Sequence, residues 1–260
     1  MTSIPELLRA EPEGFPDDAE HEELVGAWRI HQRRRGHRTS TDDVVTAWLA
    51  VALAGDSRPA RYLDLGCGIG SVMLLVAHRL RPAHTMGVEA QAQSALLAER
   101  SVRELPDAPP IDVQRGDLRE VGPESHGVFD LITGSPPYFP LGTGVLSPDA
   151  QRRACRFELR GGVEEYCAAA ARVLAPGGRF ALVFPSEGDD RALAGATAAG
   201  LSVVAKAELS MRADRAKPFL TVWGFAREPA TTRSWAFAIR DAAGEVTAEY
   251  REARALLGLR

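Results

Sequence analysis

The chain has 260 residues, 45% hydrophobic and 25% charged, with 31 basic against 35 acidic side chains and a net charge of −4. That balance excludes a disordered or collagen-like chain, and the length suffices for a large core without a disulfide or metal staple. No apolar run approaches the roughly 20 residues of a membrane span, and the start MTSIPELLRAEPEG lacks the basic-then-apolar order of a secretory signal, so a cytoplasmic protein with no membrane partner is expected. Cys67, Cys155 and Cys167 cannot all pair and form no CxxC, which predicts neither a metal site nor a disulfide framework. Of the basic residues 29 are arginine; the many alanines beside them point to general compositional bias, so only local arginine clusters are informative.

Residues 1–27 read as an acidic N-terminal arm, with a short helix near Ile4 to Leu8 and seven acids between Glu11 and Glu23. The sign flips over residues 28–40, where Arg29, Arg33, Arg34, Arg35 and Arg38 lie with His31 and His37. This stretch reads either as a solvated basic hairpin or as an electrostatic footprint for a polyanion. From Ser40 onward helices and strands alternate. Ser40 or Thr41 caps a helix from Asp42 to Ala54, its first turn acidic as the helix dipole favours. A strand at Arg61–Leu65, a glycine turn and a helix at Ser71–Arg79 follow, then a strand at His84–Glu89 and a helix at Gln91–Glu104. Strands are predicted at Ile111–Gln114 and Val128–Thr133, and residues 135–160 as a long irregular, functional connection. A helix at Gly162–Leu174 ends in Ala175-Pro176-Gly177-Gly178, ahead of a strand at Arg179–Phe184. A helix at Asp190–Ala199, strands at Leu201–Ala207 and Phe219–Phe225, one more strand at Ser234–Ile239 and a helix at Glu249–Leu257 complete the chain. Strands separated by helices predict an α/β, doubly wound, mostly parallel sheet, and two consecutive late strands joined by a short loop predict an antiparallel C-terminal edge. Ligands bind such sheets at the carboxyl ends of the strands.

Three of those strand ends carry chemistry. The first reads Asp64-Leu65-Gly66-Cys67-Gly68-Ile69-Gly70, a GxGxG turn that lets a ligand approach where a Cβ would collide. It is not the GxGxxG spacing of dinucleotide enzymes, and no Walker lysine follows. An acid at Asp64 repels a pyrophosphate but can pair with an ammonium group. Glu89, ending the second strand, can accept hydrogen bonds from ribose hydroxyls, and Asp117 after the third can take an adenine amino group. Three acids in order at the same edge form a consistent nucleoside site. At this point the residues resemble class I S-adenosylmethionine-dependent methyltransferases over roughly residues 40–185, which implies S-adenosyl-L-methionine as cofactor and a Rossmann-like sheet of seven strands. Asp64, Gly66, Gly68, Gly70, Glu89 and Asp117 are the implied cofactor contacts.

The fourth strand runs into Ser135-Pro136-Pro137-Tyr138-Phe139, which looks like the (Asp/Asn/Ser)-Pro-Pro-(Tyr/Phe/Trp) motif of methyltransferases that modify a planar nitrogen. Such a nitrogen is a poor nucleophile because its lone pair is delocalised, and fixed acceptors around its N–H bonds stabilise the pyramidal transition state. The Ser135 hydroxyl and Pro136 carbonyl are the candidate acceptors, Pro137 holds the bend rigid, and Tyr138 stacks on the flat target. Ser135 also counts among the implied cofactor contacts. It stands where many relatives have Asn or Asp and offers less acceptor capacity.

Residues 28–257 are further similar to the bacterial valine-tRNA adenine methyltransferases: Gln32, Gly36, Arg38, Ser40 and Asp42 match the stretch before the cofactor domain, while His37 replaces a tyrosine. The resemblance implies that Asp42 lies near the cofactor and that Arg33, Arg34, Arg35 and Arg38, with Arg212, Arg215 and Lys217, contact RNA. It implies a single methyltransferase domain over residues 28–260: a basic hairpin at 28–40, the cofactor and catalytic core at 41–185, and C-terminal strands and a helix at 186–260. The expected function is methylation of adenine N6 in tRNA by a monomeric enzyme without metal; flipping a loop adenine is cheaper than extracting one from a duplex. Another nucleobase, a protein glutamine amide or a small molecule are alternative acceptors. Ser135 and the acidic net charge also suit a cofactor-binding scaffold without catalysis.

Overall fold

Strands buried on both faces need near-continuous apolar runs, and Arg61–Leu65, His84–Glu89, Phe129–Gly134 and the second half of Leu174–Pro185 have them. In the computed structural model, which describes residues 6–7, 11–214 and 217–259, these are β3, β4, β6 and β7 of one sheet. With β5 (Ile111–Arg115), β8 (Ser202–Arg212), β9 (Leu220–Ala226) and β10 (Arg233–Arg240) the strand order is β10-β8-β9-β7-β6-β3-β4-β5. All neighbours pair in parallel except at β9, which is antiparallel to both β7 and β8. The sheet therefore has eight strands rather than seven: the additional strand expected at 234–239 joins it through a parallel ladder on β8. The direction of winding reverses between β3 and β6, and their carboxyl ends open the crevice where ligands bind such sheets.

Helices cover both faces. On one, α1 (Thr41–Ala54), α2 (Ser71–Leu80) and α7 (Ala248–Leu256) contribute Val45, Leu49, Leu74, Leu75 and Tyr250 to a core that also takes Leu97 of α3 (Ala92–Arg103). On the other, α5 (Val163–Val173) and α6 (Asp189–Ala198) bring Val163, Cys167, Ala170 and Ala192 against Phe180 and Phe225. Helix α4 (Ala150–Arg156) lies inside the connection expected to be irregular; Asp149 caps it by accepting the Arg152 amide at 2.9 Å. The strand expected at 179–184 begins earlier, at Leu174, so the glycine pair sits within β7.

The acidic segment is not a loose arm throughout. Ala19–Val25 forms β1, antiparallel to β2 (Trp28–Arg33) in a separate hairpin. Carboxylates of one strand meet guanidiniums beyond the other, and the hairpin is anchored by buried Trp28, whose indole donates to the Pro106 carbonyl at 2.9 Å, and by the His31 amide on Ser101 Oγ at 2.8 Å. The helix expected near Ile4 to Leu8 falls largely outside the described residues.

Candidate functional site

Between β3 and α2 the backbone turns through Gly66 and Gly68 at φ 62° and 57°, the left-handed region that favours glycine. A Cβ on Gly66 would stand 2.1 Å from the Tyr166 hydroxyl, whereas one on Gly68 would meet nothing within 4 Å. Gly66 thus packs on the protein and Gly68 faces a cavity of about 410 Å³ at the sheet's carboxyl edge, within the usual size range of small-molecule sites. Gly70 shapes the entry to α2 but does not line the cavity.

The expected acids converge on that cavity. Glu89 accepts the Gly68 amide at 2.8 Å and the Gln91 amide at 2.7 Å, one on each oxygen, leaving lone pairs for a ligand. Burial pushes its carboxyl above the ordinary value, with the two amides pulling the other way. Asp64 is buried beneath the bend, and burial pushes its carboxyl up to about 7 even though Thr133 Oγ1 donates to it at 2.6 Å. Because Thr133 spends its proton on Asp64, the Tyr62 hydroxyl 2.7 Å away donates to Thr133, so a short polar chain runs under the site. Asp117 lines the far end. Burial raises its carboxyl, but hydrogen bonds from the Arg119 amide and guanidinium outweigh this and hold it below the ordinary value. These bonds occupy most of its acceptor sites and leave little capacity for a ligand amino group.

Opposite the glycine bend, β6 delivers Ser135, Pro136, Pro137 and Tyr138 to the cavity wall. The Tyr138 hydroxyl donates to Asp42 Oδ2 at 2.9 Å, which ties the aromatic ring to the start of α1. Ser40 caps that helix in a capping box with Asp43, and its hydroxyl donates to Asp42 as well. The Ser135 hydroxyl oxygen is buried with no hydrogen-bond partner among the described residues. The bend is clamped downstream, where the Phe139 amide donates to the Arg156 carbonyl at 2.9 Å and the Glu158 amide to the Phe139 carbonyl at 3.0 Å.

The arginines expected to face RNA do not share one fate. Arg33 is held by Asp18 at 2.7 Å and Asp149 at 2.9 Å, Arg34 by Glu20 at 2.8 Å, and Arg38 by Glu22 at 2.6 Å and Glu20 at 3.2 Å. Arg212 pairs with Asp214 at 2.9 Å and Lys217 with Glu187 at 2.8 Å, both away from the cavity wall. Arg35 is exposed and makes no ion pair among the described residues, and Arg215 lies outside them. Glu20 and Glu22 of β1, with Asp18 just before it and Asp149 far along the chain, thus pair Arg33, Arg34 and Arg38 of the basic stretch, which a linear reading of charge does not reveal.

Several cavity residues lie outside the expected set. Tyr166 packs into the space that Gly66 and Gly134 leave open, and the paired small residues at two strand ends are the signal that a bulky group belongs there. Gln91, Cys155 and Arg160 also line the wall; Arg160 is paired with Glu11 at 2.5 Å and Cys155 accepts from Gln91 at 3.4 Å. His37 lines the cavity near Asp42, and burial pushes its imidazole below the ordinary value. The three cysteines are free. Away from the cavity, His21, His31 and Glu104 come together, but the two imidazoles are face-stacked at 4.1 Å with planes 4° apart. Lone pairs in parallel planes do not meet on one ion, and the contact serves to pin the hairpin to α3. No helix among the described residues is long and apolar enough to cross a membrane.

Comparison with known proteins adds three findings. The family described as the methyltransferase small domain matches residues 38–208. A tRNA1(Val) (adenine(37)-N6)-methyltransferase of Porphyromonas gingivalis is 33% identical over 162 residues, covering 61% of this chain and 62% of its own length. One of Tolumonas auensis is 29% identical over 225 residues, covering 86% of this chain and 90% of its own. The match therefore spans less than two thirds of the Porphyromonas relative. Among solved structures, a predicted O-methyltransferase of Agrobacterium tumefaciens superposes with TM-score 0.61 at 19% identity, over 83% of this chain and 97% of that one. A T. thermophilus 16S rRNA N2 G1207 methyltransferase in complex with AdoMet and guanosine gives 0.53 at 19% identity, over 81% and 50%. At that identity the likeness is one of fold.

Proposed function

Because the chain belongs to the methyltransferase small domain family, we propose that it transfers the methyl group of S-adenosylmethionine to an exocyclic planar amine, adenine N6 of a tRNA. The observation that carries this reading is the buried, partnerless Ser135 hydroxyl, set in one cavity with Pro136, Tyr138 and the Gly66–Gly68 bend. Leaving such a group unpaired costs about 1–3 kcal/mol, which a ligand N–H offsets. The choice of adenine and tRNA rests on the names of the Porphyromonas and Tolumonas relatives.

The residues present suit the cofactor. Gly68 leaves space where a side chain would intrude, Glu89 keeps two acceptor sites for a ribose diol, and Asp64 lies below the bend where a cation favours its ionised form. Bound there, S-adenosylmethionine supplies an electrophilic sulfonium methyl. The remaining work falls to the chain's own side chains. Tyr138, oriented by Asp42, offers its ring face to a flat base and holds it in the plane the displacement requires. Ser135 Oγ and the Pro136 carbonyl accept the two amine N–H bonds, so that positive charge developing on nitrogen faces fixed dipoles. Buried Tyr166 and Pro136 keep water from the reacting end.

The test is direct. Incubation with S-adenosylmethionine carrying a deuterated methyl and with tRNA from a strain lacking the gene is expected to yield heavy N6-methyladenosine on nucleoside mass spectrometry. Label on another nucleoside, or none on any tRNA, overturns the assignment.

A further inference from the structure

We propose that the RNA-docking face is a rim of unpaired arginines around Phe139, formed by Arg35, Arg152 and Arg156, and not the ion-paired arginines of the hairpin. The inference rests on the RNA reading above and names the surface that serves it. Arg152 and Arg156 stand one helical turn apart on α4, so their side chains share a face. Both are exposed, and neither makes an ion pair among the described residues. Arg152 Nε donates to the Gly36 carbonyl at 3.1 Å, which places Arg35 of the hairpin turn next to the same helix. The guanidinium of Arg156 lies 5.6 Å over the ring of Phe139.

Phe139 is 39% exposed and, like Arg156, lines the mouth of the cavity immediately after Tyr138. The loop that continues from it exposes Val145 (93%) and Leu146 (37%). Exposed apolar and aromatic groups between guanidiniums that no carboxylate holds fit a single-stranded nucleic acid: phosphates take the arginines, and unstacked bases take the ring. The same groups suit an acidic peptide less well, because its carboxylates come without flat bases for Phe139. The ion-paired arginines are poor candidates by comparison. Arg33, Arg34 and Arg38 already satisfy Asp18, Glu20, Glu22 and Asp149, and a phosphate would have to displace a carboxylate from each. Arg160, though in the cavity wall, is likewise engaged by Glu11.

The experiment measures affinity by fluorescence anisotropy for a short RNA stem–loop with one unmodified adenine in the loop, as a function of salt. It compares the full chain with R35A/R152A/R156A and with R34A/R38A. Thermal unfolding followed by circular dichroism in each variant reports an intact fold. Each lost single-strand phosphate contact lowers the slope of log K against log salt by about 0.7, so three contacts lower it by about 2. Between about 50 and 200 mM salt the unmodified chain should lose roughly 20-fold more affinity than the rim variant, whereas R34A/R38A keeps the full slope. Phe139→Ala should weaken binding by about tenfold or more with the slope unchanged, since stacking on a ring is not ionic. An unchanged slope in the rim variant, or a reduced slope only in R34A/R38A, overturns the proposal while leaving methylation of RNA standing. Failure of the unmodified chain to bind the stem–loop, with capture of an acidic peptide instead, overturns both.

Discussion

Asp64→Asn separates the needs of the fold from those of the site. An ordinary aspartate carboxyl titrates at 3.8, and burial brings Asp64 to about 7. Ionising it inside the protein therefore costs about 4 kcal/mol more than ionising it in the unfolded chain. Since the folded carboxyl holds its proton more tightly than the unfolded one, the fold loses stability as pH rises from about 4 to about 7 and levels off above. Asparagine removes the penalty and still accepts the Thr133 hydroxyl, but it buries an amide NH₂ whose desolvation costs about 1–3 kcal/mol. The net expectation is a ligand-free variant more stable than the parent by about 2 kcal/mol at pH 8. That advantage shrinks by about 2–3 kcal/mol on acidification to about pH 5, where Asp64 is already protonated. The variant also binds S-adenosylmethionine less well, and the parent's affinity falls below about pH 7 because a cationic ligand needs the ionised carboxylate. Urea unfolding at several pH values, with calorimetry alongside, reads both quantities. A stability difference that does not change with pH, or undiminished binding by the variant, refutes the reasoning.

Ser135→Ala is expected to lower the rate of methyl transfer by up to about 100-fold, since it removes one oriented acceptor at the developing charge; single-turnover methylation at saturating S-adenosylmethionine checks this. Gly66→Ala forces a Cβ to within 2.1 Å of the Tyr166 hydroxyl at φ 62°. Strain and overpacking together should cost about 2–4 kcal/mol in thermal unfolding, and Tyr166→Phe in the same chain should return part of it.

The parts of the site that are local in sequence are legible there. Strand, glycine turn and helix from Arg61 to Leu80 announce themselves by apolar runs and by a spacing only glycine serves, and Glu89 and Asp117 follow at successive strand ends. What stays hidden depends on partners far along the chain. Arg33 looks free until Asp149, 116 residues away, and Asp18 close around it. β1 escapes a reading by propensity because AEHEELV is mostly polar; cross-strand pairing with β2 and the arginines beyond it make it a strand. Helix α4 is only seven residues long, too short for a periodic signal, and Asp149 as its cap is the one cue. Tyr166 is invisible as a site residue because its helix face reads as ordinary core.

The central claim is that the space beside Gly68 receives the nucleoside cofactor. Gly68→Asn tests it most directly, because asparagine tolerates the left-handed backbone at φ 57° and its side chain points into space with nothing within 4 Å. Isothermal calorimetry with S-adenosylmethionine should show one site per chain in the parent. In the variant, with its unfolding temperature nearly unchanged, affinity should fall by about 100-fold or more, a loss of some 3 kcal/mol. Equal affinity in the two chains, or no heat with the parent, contradicts the account.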